Sequence, residues 1–272
     1  MIRDIRLEGV GFTYDGGVRA LHDVSTMLRR DEFVGIIGAN GSGKSTLAYL
    51  LQGRLTPTAG VVRTDGGRPL APQPEASDTV VVVGADPESQ LIATSVFEEV
   101  AFAPRAARLP ASEVLARTAD ALDRCDLAGL AARHPGALSA GEQLRVLLAA
   151  AVVRRPGWLV LDEVGSMLDD RHWHALLALL LALPDEREMG LIVITHRLED
   201  LLDADRVLVL VGGTVALEGT PAEVLARAPA EPEWHVTLPL TSAVGALVRS
   251  VPIRAALTTQ TWRAAVGVRR AP

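Results

Sequence analysis

The chain has 272 residues, 49% hydrophobic and 4% aromatic, with 27 basic against 33 acidic side chains and a formal charge of −6. That length and apolar content support a sizeable core and exclude a disordered chain, while the net acidity removes any general electrostatic pull toward nucleic acid. The single cysteine, Cys125, excludes an internal disulfide and reads as a small packed residue, and the longest apolar stretch, Ala175 to Leu183, is far short of the ~20 residues a membrane span needs.

The first residues, MIRDIRLEGV, lack the apolar core of a secretory signal, so a reducing cytoplasm is the expected setting. Residues 2–37 read as short strands, with Asp15-Gly-Gly17 as a turn, ending in the β-branched run Phe33-Val-Gly-Ile-Ile37, which suits a buried strand. GANGSGKST follows at residues 38–46 and fits G-x-x-x-x-G-K-[ST] through Gly38, Gly43, Lys44 and Ser45. Ser45 to Leu51 reads as a helix start, completing the strand, loop, helix order that a phosphate loop requires.

Lys44 is the only lysine; every other basic side chain is arginine. Arginine is a broad planar fork, whereas a compact ammonium on a thin stem can enter a tight ring of backbone amides. The glycines leave room for N–H groups to turn inward onto phosphates, with the positive end of the following helix behind them. Lys44 is then expected to reach the β- and γ-phosphates, and the Ser45 hydroxyl to be a magnesium ligand. The bland alternative is a glycine-rich turn that binds nothing.

Further along, Pro69 to Pro74 reads as a connection and Val80 to Val83 as another buried strand. From about 86 to 155 the pattern turns helical, with apolar spacing at Val114, Leu115, Ala119 and Leu122. Ser139 with Glu142 forms a capping box at the head of a helix running on through Val146 to Val153. The same helix start, with Ser139 and the N–H of Gly141 exposed, is also an anion site.

Trp158 to Leu161 is an apolar strand that runs straight into Asp162 and Glu163. Two carboxylates at a buried strand end are costly unless they face a cation or a water with work to do. Asp162 is expected to hold magnesium and Glu163 to orient and activate the attacking water, the alternative being a plain strand-end turn. His172 and His174 flank Trp173 with no third ligand nearby and read as the surface of a helix. Leu191 to Thr195 is a strand ending at His196, where an imidazole can hydrogen-bond a γ-phosphate. Val207 to Leu217 reads as a hairpin across Gly212-Gly213, and thereafter Val244, Leu247, Val248 and Val251 have helical spacing.

In order, GANGSGKST, LSAGE at 138–142, LVLDE at 159–163, SMLD at 166–169 and His196 resemble the nucleotide-binding subunit of ABC transporters over about residues 2–228. The resemblance implies an α/β fold, a P-loop NTPase of ABC type with a mixed β core and an inserted α-helical subdomain at about 86–155. The nucleotide-binding domain would span residues 1–228 and a C-terminal extension residues 229–272. It implies ATP and Mg2+, with the nucleotide held by Gly38, Asn40, Gly41, Ser42, Gly43, Lys44, Ser45 and Thr46 and the metal by Ser45 and Asp162. Glu163 and His196 would be catalytic and Tyr14 would stack on adenine. Ser139 and Gly141 of the LSAGE segment would complete a partner's ATP site, and Asp169 would link the two sites.

Asp86-Pro-Glu-Ser-Gln-Leu-Ile-Ala-Thr-Ser-Val, continuing to Glu99-Val-Ala-Phe-Ala-Pro104, is similar to a loop of energy-coupling-factor (ECF) importers. There Asn-Pro-Asp-Asn-Gln precedes Ala-Thr and a Val-Ala-Phe-Gly-Pro run. This resemblance implies an ATPase that energises import of a vitamin or a transition-metal ion by ATP-driven dimer closure. Its partners would be a second ATPase subunit, identical or paralogous, and transmembrane subunits that hold it at the cytoplasmic face of the membrane, with no nucleic acid involved. The chain also departs from the pattern. Most ABC ATPases place a glutamine at Ala85, and Gln90 matches a later glutamine; Val164 and Gly165 replace Pro-Thr, and Ala140 and Glu142 replace Gly and Gln. Two further readings are a weakly hydrolysing, nucleotide-gated regulatory subunit and a soluble ABC ATPase of DNA repair or translation. The short interval from Lys44 to Leu138 leaves room for one lobe only, which argues against the last.

Overall fold

Three strands precede the phosphate loop: β1 (Ile5–Thr13), β2 (Arg19–Leu28) and β3 (Phe33–Ile37). They belong to a computed structural model that describes residues 4–64, 69–70, 79–87, 89–181 and 189–238. β1 and β2 are longer than the short strands expected from the sequence. Register shifts between Leu7 and Val10, Val10 and Phe12, and Phe12 and Thr13 interrupt the alternation, so one bulged strand reads as fragments. With β4 (Ala59–Thr64) they make a three-stranded antiparallel sheet of order β2-β1-β4.

β3 is buried at all five positions, as a strand covered on both faces must be. It is part of a six-stranded sheet of order β5-β6-β7-β3-β8-β9, built with β5 (Val80–Gly84), β6 (Trp158–Asp162), β7 (Gly190–Thr195), β8 (Arg206–Val211) and β9 (Thr214–Gly219). All neighbours are parallel except β8 and β9, which form the expected hairpin. Its turn needs positive φ at two successive residues, and Gly212 (φ 53°) and Gly213 (φ 85°) supply it.

The pleat divides the core in two. Val34 and Ile36 of β3 pack with Val160, Ile192 and Leu47, on the side of helix α1 (Lys44–Leu51). Phe33 and Ile37 face the other way, onto a cluster with Leu161, Leu144, Leu148 and Trp173. Each such aliphatic side chain contributes about 1.5–3 kcal/mol through burial. The second cluster takes in helices α2 (Val96–Ala106), α3 (Ala111–Arg124), α4 (Ala140–Val152) and α5 (Asp170–Leu181).

On α3 the buried stripe is Val114, Thr118, Ala121 and Leu122, whereas Leu115 is 57% exposed. The expected stripe through Leu115 and Ala119 therefore lies one residue round the helix; Thr118 is fully buried despite its hydroxyl, and hydrophobicity alone does not mark it. Cys125 ends this helix at 4% exposure, and burial pushes its thiol up to about 12 against the opposing charges of Arg145 and Arg124. That makes it an unreactive packing residue. Helix α6 (Pro221–Arg227) follows β9 behind a Thr220–Glu223 capping box, and Trp234 then returns the chain to the core. The helical spacing expected at Val244 to Val251 and the connection from 71 to 74 lie outside the described residues.

Candidate functional site

Because β6, β7 and β3 are parallel neighbours, their carboxyl ends deliver three loops to one place. The first is the phosphate loop between β3 and α1. Gly43 caps α1 with φ 102°, and a Cβ there would stand 2.5 Å from the Ala20 carbonyl oxygen, so only glycine fits. Lys44 is 5% exposed, and its Nζ donates to the carbonyls of Gly38 and Ala39, both at 2.9 Å. The same ammonium lies 3.6 Å from Glu163 Oε1.

Asp162 ends β6, buried at 8% exposure, and its Oδ1 has no hydrogen-bond partner. Burial raises its carboxyl above the usual range, the Ser45 hydroxyl opposes that by hydrogen bonding, Glu163 adds to it and Lys44 opposes. A buried carboxylate oxygen left unpaired beside a serine hydroxyl is costly unless a cation completes it, so this donor set fits a hard, oxygen-preferring metal ion. Glu163 comes next with φ 57°, a left-handed conformation that is uncommon outside glycine and that sets its side chain between Lys44 and His196. His196 Nδ1 is 3.1 Å from Glu163 Oε2.

Tyr14 approaches from the end of β1. Its hydroxyl is 3.0 Å from Thr46 Oγ1 and its ring stands edge-on to Phe12, leaving it 42% exposed. Tyr14, Lys44, Ser45, Thr46, Asp162, Glu163 and His196 are thus brought together; Ser42 is buried in the same loop, while Asn40 and Gly41 lie on its exposed side.

Ser139, Gly141 and Asp169 stand elsewhere. Ser139 caps α4 in a complete capping box, its N–H donating to Glu142 Oε2 at 2.8 Å, and these bonds hold the Glu142 carboxyl below its ordinary range. Gly141 lies against Leu168, since a Cβ there would be 3.0 Å from that side chain. Asp169 accepts hydrogen bonds from the N–H and from Nδ1 of His172, which lower its pKa. Among the described residues no bond links these three to Lys44 or Glu163.

Sequence reasoning missed two braces around the site. The Gln90 amide turns back on the loop after β5, donating to the Gly84 and Asp86 carbonyls at 3.2 and 2.7 Å and accepting from Gly84 N–H. Gly84 is itself in register with Asp162. The other brace is Thr195 Oγ1, which donates to Asp200 Oδ2 at 2.8 Å and accepts from Arg197 N–H, behind His196. The charge-dense run His-Arg-Leu-Glu-Asp at 196–200 was the available signal for it.

A phosphate loop, a strand-end Asp-Glu pair and a strand-end histidine on this sheet define a P-loop nucleotide-binding ATPase. The ABC transporter family matches residues 21–166. The chain is 42% identical over 234 residues to the energy-coupling factor transporter ATP-binding protein EcfA1 of Symbiobacterium thermophilum, which covers 81% of this chain and 80% of that protein. It is 37% identical to the cobalt import ATP-binding protein CbiO of Syntrophus aciditrophicus, across 83% and 80% of the two chains. Among solved structures, CbiO1 from Clostridium perfringens, described as part of the ABC transporter complex cbiONQ, superposes with a TM-score of 0.76 at 28% identity, covering 92% of this chain and all of that one. The chain belongs to the ABC transporter family, and within it to the energy-coupling-factor ATP-binding proteins.

Proposed function

We propose that this chain binds MgATP and hydrolyses it to energise an ECF-type importer of a vitamin or a transition-metal ion. The observation that carries the reading is the convergence of Lys44, Asp162, Glu163 and His196 at the carboxyl ends of adjacent strands. Lys44 exchanges its contacts with Gly38 and Ala39 for the β- and γ-phosphates, and the loop amides and the start of α1 complete the anion cradle. Ser45 and Asp162 hold the magnesium ion, which when bound supplies positive charge to the phosphate oxygens. Glu163 accepts a proton from the attacking water, and His196 hydrogen-bonds the γ-phosphate while its Nδ1 faces Glu163. Tyr14 stacks on the adenine, and Asp169 links the two sites of a closed pair.

By the family resemblance Ser139 and Gly141 act in trans, each completing the ATP site of a second subunit, and among the described residues neither bonds to the chain's own Lys44. Closure around ATP and reopening after hydrolysis is a ligand-driven two-state change that can move a membrane partner. Attachment runs through transmembrane subunits at the cytoplasmic face, as the family resemblance implies; among the described residues no helix is long and apolar enough to cross a membrane. A cavity of about 360 Å³ lined by Leu91, Ile92, Ala93, His134 and Pro135 opens beside the Gln90 loop, and Ile92 is 72% exposed at its edge. This is the docking face for that partner, within the helical subdomain proposed at about 86–155 of the 1–228 domain. Ile92→Asp should cut co-sedimentation with the membrane subunits at least about tenfold and leave ATP binding unchanged; full retention on membranes would refute the docking face.

Ala85 favours a second reading, a nucleotide-gated subunit that hydrolyses slowly. It occupies the exposed turn after β5, next to Gly84 and so to Asp162, where its methyl group can neither hydrogen-bond a water nor ligate a metal. Ala85→Gln is expected to raise the single-turnover hydrolysis rate about three- to tenfold. An unchanged rate would mean that Ala85 is not limiting and would remove the support for slow hydrolysis.

A further inference from the structure

Among the described residues His196 is held by one side-chain partner. Its ring is 45% exposed and meets Glu163 at 3.1 Å, so where the ring points depends on the main chain that carries it. That main chain lies just beyond β7, past the end of the sheet ladder at Thr195. Two kinds of contact fix it. On one side, Thr195 Oγ1 accepts from Arg197 N–H, and the Arg197 guanidinium ties to Asp170, at 2.6 Å, and to Glu199. On the other, Thr237 N–H donates to the His196 carbonyl at 2.8 Å, and Leu198 N–H donates to the Thr237 carbonyl at 3.0 Å. Together these two bonds make an isolated parallel bridge between Arg197 and Thr237.

We infer that the Thr237 main chain is a positioning element for His196, so that the segment from Trp234 to Thr237 sets how fast the γ-phosphate is cleaved. The inference rests on the reading of His196 given above. The segment is built to hold a fixed place. Trp234 is 2% exposed within the core cluster, with the Arg227 guanidinium over its ring at 5.7 Å. His235 then takes a left-handed turn at φ 47°, which redirects the chain toward His196. Thr237 itself is exposed, so its amide is the part that engages the His196 loop. A two-bond bridge with no flanking ladder opens far more readily than a strand inside the six-stranded sheet. When it opens, the His196 carbonyl loses its partner and the imidazole loses its fixed aim, while the phosphate loop and Tyr14 stay as they were. The bridge therefore acts on the chemical step and not on nucleotide capture.

The test uses the full-length chain and a residue outside the binding machinery. Thr237→Pro deletes the donated N–H, whereas Thr237→Ala keeps the backbone and serves as the control. Thr237→Pro is expected to lower single-turnover kcat about tenfold, with KM for ATP and the affinity for ADP within about twofold of the parent; Thr237→Ala should match the parent. In a His196→Ala background Thr237→Pro should reduce the residual rate no further, because both changes remove the same placement. Trp234→Leu, which loosens the anchor without touching the bridge, should give a smaller loss of kcat in the same direction if Thr237→Pro folds poorly. Parent kcat in Thr237→Pro, or a fresh loss in the His196→Ala background, would overturn the inference. An undiminished rate in His196→Ala alone would instead overturn the role given to the histidine.

Discussion

Lys44→Ala is expected to weaken nucleotide binding by about two orders of magnitude and to abolish ATP-dependent dimerisation. Truncating one partner of a buried, hydrogen-bonded charge pair costs roughly 2–5 kcal/mol, and about 3 kcal/mol already corresponds to more than a hundredfold in affinity. Lys44 meets those conditions: its ammonium is buried, ringed by two carbonyls and a carboxylate, and replaced by no other lysine in the chain. Lys44→Arg should rescue little, because a planar fork does not enter a ring built around a thin stem. Equilibrium titration with MgADP reads the binding loss, and size-exclusion chromatography with MgATP reads the dimer. A dimer that forms undiminished in Lys44→Ala would sink the account of ATP as the link between two subunits.

Features recorded in local residue type were readable from the sequence. The phosphate loop is a contiguous spacing, β3 is a contiguous apolar run, and Asp162 and Glu163 sit where β6 ends. Each is fixed by neighbours within a few positions, and the structure brings the phosphate loop and the Asp162-Glu163 pair to the carboxyl ends of neighbouring parallel strands. Features fixed by long-range backbone contact were not readable. Thr237 bonds to His196 through its amide, a group every non-proline residue owns, so no pattern of side chains announces it. Gln90 was unreadable for a different reason: its partners Gly84 and Asp86 are near in the chain, but its side-chain amide could have served magnesium, water or main chain, and the fold of the loop after β5 decides which. On α3, burial of Thr118 displaced the apolar stripe because the position of a helix face is set by what packs on it, not by hydropathy alone. The separation of Ser139 and Gly141 from Lys44 was, by contrast, implied by the family resemblance, and the complete capping box of Ser139 shows that the same residue also stabilises its own helix.

Glu163→Gln is expected to lower kcat about 10²–10³-fold while leaving the MgATP-bound, closed dimer as the accumulating species. The amide keeps the length and shape of the side chain, so its carbonyl can still accept from His196 Nδ1–H, and the left-handed backbone at φ 57° is undisturbed. What disappears is the group proposed to take a proton from water, and general-base catalysis contributes typically about 10²–10⁴-fold. The ion pair with Lys44 disappears too. In the nucleotide-free chain that pair, at 3.6 Å, competes with the phosphates for the ammonium, so its removal favours nucleotide binding and adds to the trap. The variant should therefore separate capture from chemistry: ATP binds at least as tightly as in the parent, and phosphate release nearly stops. Chromatography with MgATP reads the dimer, and a single-turnover phosphate assay reads the chemistry. Normal hydrolysis by Glu163→Gln would show that another group activates the water.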